Sequence, residues 1–94
     1  MDKREASEIL TNELGRFSQK HHAELVPLAE SQHVENVEIR GASGKAYHVE
    51  LQFFWDDEPG GTIRVLGSVD DGGLRAFLPV TQSVLVPRTA STMP

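Results

Sequence analysis

The sequence predicts a two-layer α+β domain, with an N-terminal helix on one face of a four-stranded antiparallel meander sheet. Three observations predict this fold: apolar residues recur at helical spacing in the first third, the middle alternates with period two, and glycine-bearing turns separate the alternating segments. Ninety-four residues suffice for one domain, which we place at residues 1–88, followed by a flexible C-terminal tail at residues 89–94.

One helix is predicted over residues 2–25. Its apolar stripe consists of residues three or four positions apart: Ala6, Leu10, Leu14, Phe17, His21, Leu25 and Leu28. Asp2 and Glu5 have the spacing of a capping box. Pro27 disfavours helical geometry at the residue before it, which predicts the helix end. His21 is expected to be half-buried at the edge of the core.

The strand predictions come from alternation. From Lys45 to Trp55 the odd positions are apolar and the even positions mostly polar, as is typical of a strand with one face on a core. The other predicted strands are centred on Val37 and Ile39, on residues 63–69 and on residues 74–78. Pro79 ends the last of these, and residues 80–86 form a possible short fifth strand.

The register follows because the apolar faces of paired strands must lie side by side. Between the second and third strands, this rule predicts the pairs Trp55 with Ile63, Phe53 with Val65, and Leu51 with Gly67. Between the third and fourth strands, it predicts the pairs Val69 with Leu74, Gly67 with Ala76, and Val65 with Leu78. Gly67 is then a low point at the centre of the inner face, where the helix can be received.

The same register predicts an apolar patch on the outer face, which a single helix cannot cover. Phe54 is expected beside Arg64, and Leu66 beside Phe77. Exposed apolar residues are common on protein surfaces, and the segment after Pro79 could fold over these. Alternatively, the four residues form a contact surface for another protein or for a second copy of the chain.

The first and third turns of a meander lie at the same end of the sheet, and both carry charged residues. Those expected at this end are Arg40, Lys45, Asp70, Asp71 and Arg75. A surface ion-pair network is one interpretation, and a site for a small polar ligand or a metal ion is the alternative. The stretch 41–45 lacks the spacing of a phosphate-binding loop and the Ser or Thr that follows its Lys, so we reject that assignment.

Composition narrows the classes of function. The net charge is −5, from 14 acidic against 9 basic residues, which disfavours binding to a nucleic-acid backbone. Without cysteine, the chain has no disulfide scaffold, thiol nucleophile or iron–sulfur cluster. No apolar run approaches the ~18 residues of a membrane span, and no leader peptide is recognisable. We therefore expect a cytoplasmic protein without membrane contact.

Catalytic signatures are missing from the sequence. No serine lies in a Gly-x-Ser-x-Gly elbow, and Gly-x-Gly-x-x-Gly does not occur. His48 has Glu50 nearby, but on an open sheet nothing excludes water from the pair. We therefore assign no catalytic residue, metal ligand or cofactor. The sequence favours a non-enzymatic protein–protein interaction or regulatory module, possible as a homodimer, with a small-ligand or metal-binding domain as the alternative.

Overall fold

The structure is a computed structural model that describes residues 2–72 and 80–88, and it confirms the α+β fold. Its elements are α1 (Lys3–Ser18), α2 (His22–Glu30), β1 (Val34–Arg40), β2 (Ala46–Trp55), β3 (Ile63–Asp70) and β4 (Val80–Val86). The strands form one four-stranded antiparallel sheet in the order β1-β2-β3-β4. Both helices pack on the same side, which we call the inner face.

The predicted helix of residues 2–25 is two helices in the structure. α1 ends at Ser18 and α2 begins at His22, so the prediction of one continuous helix is wrong. Pro27 lies inside α2 and does not end it. The break turns His21 to solvent and buries His22, which is 8% exposed. The prediction that His21 lies half-buried at the core edge is therefore also wrong.

The length of the sheet explains where α1 ends. Near its start, Glu5 accepts a hydrogen bond from the Tyr47 hydroxyl, and near its end the Phe17 ring packs on Phe53 with the centroids 5.1 Å apart. Between these contacts the helix rises about 18 Å and β2 about 20 Å, so α1 is roughly parallel to β2 while it lies over β3 and β4. A straight continuation would leave the sheet, whereas a second helix covers the end of β2.

β2 and β3 pair in the predicted register. The pairs include Leu51 with Gly67, Phe53 with Val65, and Trp55 with Ile63. On the inner face of β2, four side chains are at most 1% exposed: Tyr47, Val49, Leu51 and Phe53. The alternation in the sequence therefore assigned the two faces of this strand correctly.

Gly67 is the low point at which α1 meets the sheet. A Cβ added there would lie 2.6 Å from Cδ1 of Leu10 and 3.2 Å from Cδ2 of Leu51. Interiors are close-packed, so even one additional carbon would have to displace its neighbours. The helix therefore occupies the depression that the sequence predicts.

The fourth strand of the sheet is the segment after Pro79, which the sequence predicts only as a possible fifth strand. It pairs directly with β3, in the register Val65 with Val84, Gly67 with Gln82, and Val69 with Val80. The predicted pairs of β3 with residues 74–78 are therefore wrong, and those residues lie outside the described part of the chain. β4 has seven residues and places three valines on the inner face. It therefore extends the core further than the shorter predicted strand of residues 74–78 would.

Candidate functional site

The predicted contact residues share the outer face of the sheet. Phe54 lies opposite Arg64, and Leu66 lies one pair further along β3 on the same face. Phe77 lies outside the described residues, and the position predicted for it beside Leu66 is taken by Ser83. The structure therefore brings three of the four residues together and leaves the fourth undescribed.

Two further apolar side chains on this face were not predicted. Val34 on β1 is 48% exposed and Leu85 on β4 is 50% exposed. Leu85 lies opposite Arg64 across the β3–β4 pair. The signal for Leu85 is the alternation within residues 80–86, which indicates an outward position once that segment is known to pair with β3. We call the exposed Val34 and Leu85 together with the half-buried Phe54 and Leu66 the outer corner.

Arg64 lies within the outer corner, but its charge is already paired. Its Nε donates to Oδ1 of Asp56 over 2.7 Å, and its Nη1 donates to Oγ of Ser83 over 2.6 Å. In register it stands between Phe54 and Leu85. Since long cationic side chains cover apolar surface with their stems, Arg64 extends the apolar surface of the corner.

A notch of about 490 Å³ opens where β2 continues past the start of β1. It is lined by Ala29, Val34, Phe53, Phe54 and Trp55, with the amide side chains of Gln32 and Gln52. Val34 and Phe54 belong to both the notch and the outer corner. The exposed apolar surface therefore continues from the flat face of the sheet into a concave space of the size that binds small ligands or partner side chains.

The other end of the outer face is acidic. His48 pairs in register with Glu38 on one side and with Asp70 on the other. No hydrogen bond or ion pair joins His48 to Glu50 within the described part of the chain, and Oε2 of Glu50 accepts a hydrogen bond of 2.8 Å from Gln52 Nε2. The outer face thus changes from apolar at the corner to acidic at the opposite end.

At the turn end, the charged groups bond mainly within their own turns. Arg40 Nη1 donates to the carbonyl of Gly44, and Asp70 Oδ1 accepts from the N–H of Gly72 over 2.8 Å. The backbone of Lys45 closes the first turn, because its carbonyl accepts a hydrogen bond from the N–H of Gly41. Asp71 lies close enough to Tyr47 for its charge to help raise the pKa of that hydroxyl. Arg75 is outside the described residues. Within residues 2–72 and 80–88, no group of three or more His, Asp or Glu side chains is placed to hold a metal ion.

Glu5, from α1, occupies the centre of the turn end. Its Oε1 accepts from Ser43 Oγ and from the Tyr47 hydroxyl, each over 2.7 Å, and its Oε2 accepts from Ser43 N–H over 2.9 Å. The Ser43 donors, followed by Tyr47, hold the pKa of the Glu5 carboxyl below its ordinary value of 4.5. The hydrogen bond to Glu5 raises the pKa of Tyr47 to about 12. We call these three residues the Glu5 clasp.

The Glu5 clasp corrects the predicted capping box. Asp2 does cap α1, with its Oδ1 accepting from the N–H groups of Arg4 and Glu5 over 3.0 and 3.1 Å. The Glu5 side chain, however, crosses to the first turn, where Gly41 makes room for it: a Cβ on Gly41 would lie 2.7 Å from Glu5 Cδ. Because both carboxylate oxygens are bonded within the chain, this group fastens the helix to the sheet.

Comparison with known proteins assigns no family. No described helix is long and apolar enough to cross a membrane. No protein-family model, curated protein or solved structure matches this chain.

Proposed function

We propose that the protein is a non-enzymatic interaction module that binds a partner protein through the outer corner of its sheet. The observation that carries this proposal is that the exposed Val34 and Leu85 share one face with the half-buried Phe54 and Leu66, and that Val34 and Phe54 also line the notch. Contiguous exposed apolar surface on a small domain marks contact sites. A concave pocket beside a flat apolar face suits an anchor side chain, of the kind that dominates binding energy at interfaces.

The charge around the outer corner indicates the chemistry of the partner. Beyond the corner, the face carries Glu38, Glu50 and Asp70 against one cation of β1, Arg40, and the whole chain has a net charge of −5. We therefore expect a partner that inserts an aromatic or aliphatic side chain into the notch and places Lys or Arg side chains against the acidic end. Such complementarity speeds association and weakens as salt is added.

The alternative is a small-ligand or metal-binding site at the turn end, formed by Arg40, Lys45, Asp70 and Asp71. The outer corner is the better supported of the two. Arg40 and Asp70 already bond to backbone groups of their own turns, and Glu5 holds three donors of its own chain. A new ligand would have to replace those bonds, whereas a partner at the outer corner only displaces water.

Capture followed by binding with purified components tests the proposal. Immobilised parent, Leu66→Asp and control Asn12→Asp chains are exposed to cell extract, captured proteins are identified, and each is then titrated calorimetrically. Asn12 is exposed on α1 and receives the same charge. We expect Leu66→Asp to weaken the purified interaction at least tenfold, about 1.4 kcal/mol or more, and Asn12→Asp to leave it within twofold.

A second measurement locates the contact. In the ¹⁵N-labelled parent, the bound partner should shift the amide signals of Val34, Phe54 and Leu85. Equal binding by the parent and Leu66→Asp, or shifts confined to the solvent side of α1, would contradict the proposal. Circular dichroism of both variants establishes that they keep the fold.

A further inference from the structure

β4 is an edge strand with one row of backbone groups directed away from the sheet. At the end of the β2–β3 pair, the N–H of Asp56 donates to the carbonyl of Thr62 over 2.8 Å. Counting the antiparallel alternation from that bond, the even-numbered residues of β4 face β3. The N–H and C=O groups of Thr81, Ser83 and Leu85 then point outward, where no described residue pairs with them.

This edge lacks the devices that usually prevent strand addition. Its sequence, Val-Thr-Gln-Ser-Val-Leu-Val over Val80–Val86, holds no charged residue and no proline, and four of its seven residues are β-branched valine or threonine. Exposed edges in natural proteins carry Lys, Pro or bulges, or are covered. A neutral edge of high β-propensity is chemically suited to pair with another strand.

We propose that β4 pairs with β4 of a second copy of this chain, antiparallel about a two-fold axis at Ser83. The two four-stranded sheets then become one continuous sheet. The register places Ser83 opposite Ser83, Thr81 opposite Leu85, Gln82 opposite Val84, and Val80 opposite Val86. All three outward residues gain backbone partners, and β4 itself brings no like charges together; Arg64, which bonds Ser83 in each copy, is paired with Asp56.

The helix layer supports the same symmetry. α1 lies over β3 and β4, because Leu10 fills the depression at Gly67 while Ser7 and Thr11 hydrogen-bond to Gln82. With strands about 4.8 Å apart, the α1 axis lies about 5 Å from the proposed two-fold. The two α1 helices would therefore run antiparallel about 10 Å apart, within the range of ordinary helix packing.

The side of α1 toward this edge carries four small, uncharged residues at helical spacing, Ser7, Thr11, Gly15 and Ser18, and one cation, Arg4, a turn before them at the N-terminal end. A Cβ on Gly15 would meet nothing within 4 Å, so there is space beside the helix. In a chain with net charge −5, β4 itself carries no charged residue, and neither layer carries an acidic residue along this edge. Since each layer complements itself under one axis, a second copy fits this edge better than a charged partner would.

The expected contact area sets the strength of the dimer. The seam is roughly 24 Å long, the length of a 16-residue helix. Two layers of about 10 Å each then give about 500 Å² from each copy and about 1,000 Å² in total. This is the lower limit for a specific interface, so we expect a dimer that dissociates on dilution.

Charge placed on the two-fold axis tests the pairing. Sedimentation velocity of the full chain is recorded from micromolar to millimolar concentration for the parent, Ser83→Lys, Ser83→Asp and the control Asn36→Lys. Asn36 is exposed on the outer face of the opposite edge strand, so the control adds the same charge to the other edge. We expect the parent and Asn36→Lys to dimerise, each Ser83 variant alone to lose the dimer, and an equal mixture of the two Ser83 variants to regain it.

Regain of the dimer on mixing cannot come from unfolded protein, so the test survives a loss of stability in either variant. Hydrogen exchange gives an independent readout: the N–H of Ser83 should exchange at least tenfold more slowly in concentrated than in dilute parent, while that of Asn36 stays unchanged. A parent that remains monomeric throughout, or Ser83 variants that dimerise separately as well as the parent, would overturn the proposal.

The dimer and partner binding can be separated at Leu66, because Phe54 and Leu66 remain on the outer face after β4 is paired, whereas Leu85 belongs to both surfaces. Leu66→Asp should therefore dimerise like the parent while losing the partner. Failure of either behaviour leaves the other interpretable.

Discussion

The two flanks of α1 are fastened to the sheet by different chemistry. Toward the first turn, the Glu5 carboxylate accepts hydrogen bonds from Ser43 and Tyr47. Toward β4, the neutral amide of Gln82 donates to the carbonyl and hydroxyl of Ser7 over 3.1 and 2.9 Å. The Thr11 hydroxyl donates to Gln82 Oε1 over 3.0 Å. One flank thus depends on an ionised group, whereas these hydrogen bonds of the other flank join uncharged groups.

The edge strands differ in the same way. β1, with the sequence Val-Glu-Asn-Val-Glu-Ile-Arg, carries three charged residues, and β4 carries none. Charge on an edge strand discourages the addition of another strand. The charged edge strand is thus the one left unpaired, and the uncharged edge strand is the one where we propose that a second copy binds.

The largest effect is expected at Gly67, where α1 meets the sheet between its two flanks. Gly67→Ala places a methyl group 2.6 Å from Leu10 Cδ1 in a fully buried position, so α1 or its side chains must shift. We expect a loss of about 1–3 kcal/mol in the free energy of unfolding, measured by urea titration.

The matched control for this substitution is Gly15→Ala. Its methyl group would meet nothing, and alanine favours helix over glycine, so stability should rise by about 0.5–1 kcal/mol. Opposite signs at the two glycines are the expected result. A neutral Gly67→Ala would mean that α1 is not closely packed on β3.

The next effect is expected for Glu5→Gln, which should make the stability contributed by the ionised flank independent of pH. The folded-state pKa of Glu5 lies below 4.5, so its contribution to stability is present above that pH and is lost as pH falls through the folded value. We expect the variant to be less stable than the parent at neutral pH, with a gap that narrows in acid. Thermal unfolding across this range measures the gap, and Glu8→Gln, on an exposed site of the same helix, should produce no such pH-dependent difference.

The smallest effect is expected for Gln82→Ala on the neutral flank. Loss of the hydrogen bonds to Ser7 and Thr11 should lower stability by about 1 kcal/mol. Since no ionisable group takes part, the loss should be the same at neutral and at mildly acidic pH. A loss that changes with pH would show that the two flanks do not act separately.

The register of β2 and β3 was predictable because strict alternation over both strands leaves one pairing that joins their apolar faces. The helix break was not, since the apolar stripe continues at helical spacing from Phe17 to Leu28 and the end of α1 is set by the length of the sheet. Two successive segments after β3 alternate, and only tertiary pairing decides which of them joins the sheet.

The candidate site was predictable to the same extent. Phe54, Arg64 and Leu66 follow from the β2–β3 register, whereas Leu85 depends on the identity of the fourth strand. The Glu5 clasp has no local signal, because its partners lie 38 and 42 positions along the chain and the nearby Asp2 suggests a different role for Glu5.

Trp55 is the only tryptophan of the chain, and it borders the notch beside the buried ring of His22. Its intrinsic fluorescence therefore reports on the notch and the docking of α2 without any attached dye. β4 is separated from β2 by a whole strand, so self-pairing there occurs at a distance from the indole. The chain thus has a built-in optical probe that distinguishes occupation of the notch from association through β4.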